Sequence, residues 1–107
     1  KPKVRDEAQA LIARLTPVLN DAKTASGNAP QGKGADEDLD QLRADLGQAE
    51  ASLSSAQNSL AAGKFKDALD QAKSADGKLS QVQASLQTAL KKIADWQEEN
   101  KPWFERM

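Results

Sequence analysis

From Val4 the apolar residues of this chain recur as Val4, Ala8, Leu11, Leu15, Val18, Ala22 and Ala25, in alternating steps of four and three. A second series, Leu39, Leu42, Leu46, Ala49, Leu53, Ala56 and Leu60, keeps the same rhythm with no missed position. The third runs Phe65, Ala68, Ala72, Ala75, Leu79, Val82, Leu86, Ala89, Ile93 and Trp96. Such alternation averages about 3.5 residues per repeat, which is the seam of a left-handed coiled coil or a narrow helical bundle, whereas a half-buried strand repeats every two. Ile12, Leu19, Leu69 and Leu90 stand beside the seams and widen them, as a helix touching two neighbours requires.

Composition agrees. Of the hydrophobic fraction of 38%, 19 residues are Ala and 22 are larger side chains, 12 of them Leu. Val, Ile and Thr total eight and Tyr is absent, so a sheet would lack its usual residues while a helix has its favoured ones.

The breaks between the seams have physical causes. Residues 26–37 contain three Gly and one Pro and cannot stay helical; this stretch is expected to be a flexible loop. Asp36, Glu37, Asp38 and Asp40 follow it, placing negative charge where the unpaired N–H groups and dipole of a helix start favour it. Ala62-Gly63-Lys64 is a tighter break, with Gly63 suited to a left-handed cap, and so short a link implies antiparallel neighbours. The expected fold is all-α: one domain over 1–107, an antiparallel up-down-up three-helix bundle with helices 3–25, 37–62 and 64–100. Pro17 should kink helix one near Ala13 to Thr16. Asp76-Gly77 is a turn dipeptide, but the third seam crosses it without a phase jump, so helix three is expected to continue. At 1.5 Å per residue helix three is the longest, roughly 55 Å, and should overshoot the other two at its C-terminal end.

Local resemblances are short. Ala62 to Ala72 resembles the opening of the second helix of a tetratricopeptide unit, although that unit's early Trp-x-x-Leu-Gly and closing Pro have no counterpart here. Gln-x-x-Ala-Ser-Leu occurs at Gln48 to Leu53 and again at Gln81 to Leu86.

Much chemistry is excluded by residue type. Without Cys there is no disulfide, thiolate metal site or cysteine nucleophile; without His the commonest general base and transition-metal ligand are missing. Asp36, Asp38 and Asp40 alternate as in a calcium loop, but the sixth position should be Gly and is instead part of the helical seam. Asp45, Glu50, Asp67 and Asp70 fall off the seams and are expected on solvated faces rather than in a catalytic cleft. No cofactor or metal is expected. A net charge of −1 lacks the basic surplus of a nucleic-acid binder. Charge is unevenly shared, at +2 over residues 1–25, −4 over 26–62 and +1 over 63–107, which helps order the helices.

The C-terminal segment differs in composition, holding both Trp, one of two Phe and the only Met. It could fold back over the bundle end. Alternatively Trp96, Trp103, Phe104 and Met107 form a surface for a protein partner or a second copy, since aromatic anchors concentrate binding energy. The overshoot of helix three supports the second reading, and these four are the expected contact residues. Membrane contact is not expected, because three Glu oppose Lys101 and Arg106 there. The functional expectation is a non-enzymatic interaction, scaffold or spacer module of a larger bacterial assembly. Its alternative is a helical protein holding a small ligand or ion between helices where Ala leaves room. The Lys1-Pro2-Lys3 opening suits an excised domain or a mature exported protein, and an Ala/Gln-rich composition leans towards the envelope.

Overall fold

The computed structural model describes residues 2–30, 32 and 34–100. Within them the three seams become α1 (Pro2–Asn28), α2 (Asp36–Ala61) and α3 (Phe65–Glu99), with 91% of the described residues helical and no strand among them. Ser59 donates to Gln71 at 2.8 Å and Lys92 to Asp38 at 2.7 Å, which fixes α2 and α3 antiparallel and puts Asp36 level with Ala94. Arg14 beside Asp76, at 3.2 Å, sets α1 parallel to α3 and puts Asn28 level with Leu90. The result is a rod of 65 × 18 × 16 Å. Its radius of gyration, 17.8 Å, exceeds the roughly 13 Å of a globule of this length.

The α2–α3 link shows why Gly63 is there. The Gly63 N–H donates to the Leu60 carbonyl at 3.1 Å and the Lys64 N–H to the Ser59 carbonyl at 2.8 Å, the two bonds of a Schellman motif. The motif needs a left-handed residue, and Gly63 supplies it with φ of 80°.

One expected boundary shifts by more than a residue. Helix α1 continues through Pro17 and through Ser26-Gly27 to Asn28 instead of ending at 25. The extra turn is held from outside: Ser26 is buried, and its carbonyl accepts from Arg43 Nη2 at 3.3 Å. At Pro17 the missing N–H faces the exposed side, where water can serve the Ala13 carbonyl, and Thr16 Oγ1 donates to the Ile12 carbonyl at 2.8 Å. Helix α3 crosses Asp76-Gly77 unbroken, as the continuous seam implies.

Ile12, Leu15, Leu19 and Ala22 of α1 pack with Leu42, Leu46, Ala49, Leu53 and Ala56 of α2 and Ala72, Ala75, Leu79 and Val82 of α3. A second, smaller cluster joins Ala29 and Ala35 to Leu39, Ala89 and Ile93 at the far end. The small residues concentrate between α2 and α3, which share the most extensive contact, while α1 lies more lightly on both. Asp45 is a correction to the sequence reading. It is buried, not solvated, with Gln41 Nε2 donating to its Oδ1 at 3.2 Å. Asp38, Asp45, Ser52 and Ser59 are seven apart and form one edge of α2; two of them bond α3, so the edge is covered.

Candidate functional site

The site proposed by the sequence lies at the C-terminal end of α3, so the question is what covers that end. Helix α1 stops level with Leu90 and α2 begins level with Ala94, leaving the last turns of α3 past both. The connection between α1 and α2 covers part of this stretch. Ala29 and Ala35 are buried against Ala89 and Ile93, so the inner edge of α3 is closed there. The edge that α1 would have covered is open. Leu90, expected to widen the seam, is instead 46% exposed, the most exposed large apolar residue described, because its second neighbour ends at its own height.

Trp96 is half-buried on the last turn of α3. Its carbonyl accepts from the Asn100 N–H at 3.1 Å and from Asn100 Nδ2 at 2.8 Å, which closes the helix at Glu99. The other expected contact residues, Trp103, Phe104 and Met107, lie outside the described residues.

Below Leu90 the α1–α3 seam opens into a groove of about 240 Å³ lined by Val18, Asp21, Ala22, Ala25, Gln83 and Leu86. Leu86, a residue of the third seam, is only half-buried, for the residues facing it on α1 are Ala22 and Ala25 and leave its side uncovered. The sequence offered this signal, since an Ala pair stands there opposite a Leu.

The acids at the start of α2 are occupied by local structure. Asp36 Oδ1 accepts from the Gly32 N–H at 2.8 Å, and Asp38 holds Lys92. That hydrogen bond, reinforced by the charge of Asp38 and more weakly of Glu37, raises the Lys92 ammonium above its ordinary pKa. Among the described residues no three metal-ligating side chains cluster, and every buried side-chain N or O atom has a hydrogen-bond partner. No described helix is long and apolar enough to cross a membrane.

The fold and the open end define an antiparallel three-helix bundle whose last helix outruns the other two. Compared with protein family models, curated proteins and solved structures, the chain gives no match.

Proposed function

We propose that this chain is a non-enzymatic interaction, scaffold or spacer module whose contact surface is the free end of α3. The observation that carries the reading is the exposed Leu90, set on a helix face that loses its neighbour where α1 ends. Trp96 stands on the same end, and the aromatic residues Trp103 and Phe104 with Met107 follow it in sequence. A rod with mixed surface charge and an exposed Leu at one end suits a spacer that attaches at its tip. A small ligand between α1 and α3 has less in its favour, because the groove falls below the roughly 300–1,000 Å³ of ordinary ligand sites.

The test is a photo-crosslinking side chain placed at position 90, with position 66 as control, in cells that make the protein. Cross-links to protein from position 90 and none from 66 are expected. Deleting residues 101–107 should weaken the capture while leaving the melting temperature nearly unchanged. Equal labelling from both positions, or none from either, overturns the reading. So does a deletion that lowers the melting temperature steeply without touching association.

A further inference from the structure

The face of α3 that meets α1 does not stop where α1 stops. Lower in the rod this face carries Asp76, paired with Arg14, and Gln83 and Leu86 beside the groove. Continuing by steps of three and four, it carries Leu90, Ala94 and Gln97, all exposed. The α1–α2 connection and the start of α2 occupy the other edge, at Ala89, Ile93 and Lys92. A lane about nine residues long, roughly 13 Å, is thus left open along α3.

Its outer border is charged in a particular order. Lys91 stands at the lower end and Glu98 one heptad above it, both exposed. The partner of Lys91 within the helix is Asp95, at 3.0 Å, in a pair whose side chains are 77% and 60% exposed. Such a pair contributes little and can be exchanged for another. A border that runs from positive to negative is complementary to a copy of itself only when the copy is reversed. Side by side in the same direction, Lys91 would meet Lys91 and Glu98 would meet Glu98. The small Ala94 between them lets two helices approach closely at the midpoint.

We infer that the partner at this end is a second copy of the chain, the two α3 tips packing antiparallel about a two-fold axis near Ala94. Leu90 and Gln97 then stack on either side of the axis, and Lys91 of each copy pairs with Glu98 of the partner subunit. The register brings Glu98 of the partner subunit level with Leu90, the height at which α1 ends, so the paired residues match the length of the lane. This rests on the reading of the α3 tip as a contact surface and adds the identity of the partner. An overlap of about nine residues a side falls short of the roughly 20–30 residues a side of a stable interface. The dimer is therefore weak and reversible, populated on the order of 0.1–1 mM.

Sedimentation velocity and small-angle scattering on the full chain test it over that range at low salt. The dimer fraction should rise with concentration and fall as salt is added. The longest dimension should grow from the 65 Å of the monomer to about 115 Å, as for two rods overlapping by one tip. Lys91→Glu and Glu98→Lys should each lower the association constant at least tenfold with unchanged helical circular dichroism. An equimolar mixture of the two variants, and the doubly swapped chain, should recover it. A chain monomeric throughout overturns the inference. So does a dimer indifferent to both charge changes, or one that stays near 65 Å because its rods lie side by side. If position 90 still cross-links to a different protein, the tip remains a contact surface and only the second copy is refuted; if it cross-links to nothing, the surface itself is refuted.

Discussion

Two exposed glycines with different backbone conformations illustrate how single residues act in this rod. Gly63 sits at φ 80° in the cap between α2 and α3, where any side chain strains the backbone. Gly63→Ala should destabilise by about 1–2 kcal/mol, read from urea unfolding. Gly77 lies inside α3, exposed, with nothing within 4 Å of an added Cβ. Gly77→Ala should therefore stabilise by about 0.5–1 kcal/mol, through helix propensity and a less entropic unfolded chain. A loss at position 77 would contradict the continuous α3. Both positions could be anticipated from sequence, because a broken seam and an unbroken one read differently. Asp45 could not: its burial depends on how closely α2 and α3 approach, which a list of seam residues leaves undefined.

At the scale of elements, the three helices follow directly from the 3–4 alternation, and their order from the short Gly63 link. The end of α1 did not, since Ser26-Gly27-Asn28 carries local turn signals that a tertiary bond from Arg43 overrides. Burial along one seam also varies with what stands opposite. Leu53 is 3% exposed among residues from all three helices, so Leu53→Ala should cost about 2–5 kcal/mol. Leu86→Ala, beside the open groove, should cost less than half as much in the same denaturation assay. Electrostatics between elements is a matter of register more than of strength. Lys23 of α1 with Glu50 and Lys92 of α3 with Asp38 tie each flanking helix to the acidic α2, but neither pair is buried. Because the Lys92 pKa is raised in the folded chain, the contribution of its pair is complete below about pH 10.4 and is lost as pH rises through the raised value. An NMR titration of the Lys92 ammonium should show its midpoint falling towards the ordinary lysine value in Asp38→Asn.

Across the whole molecule, the candidate site was only half legible in the sequence. The overshoot of α3 follows from helix lengths, yet the sequence reading fixed on Trp96, Trp103, Phe104 and Met107. Leu90, the residue that the end of α1 leaves bare, stands in that reading only as one that widens the seam. Exposure of that kind arises from where a neighbouring helix stops, and the stop was itself misplaced by three residues. The uneven packing of the rod has a kinetic consequence. Helices α2 and α3 are joined by a three-residue turn and share the larger contact, whereas α1 arrives by a longer connection and rests on both more lightly. Backbone amides should therefore exchange with deuterium in two tiers. Those of Leu42 to Ala56 and Ala72 to Val82 should exchange only through global unfolding. Those of α1 should exchange sooner, in openings that undock one helix and leave a two-helix hairpin standing.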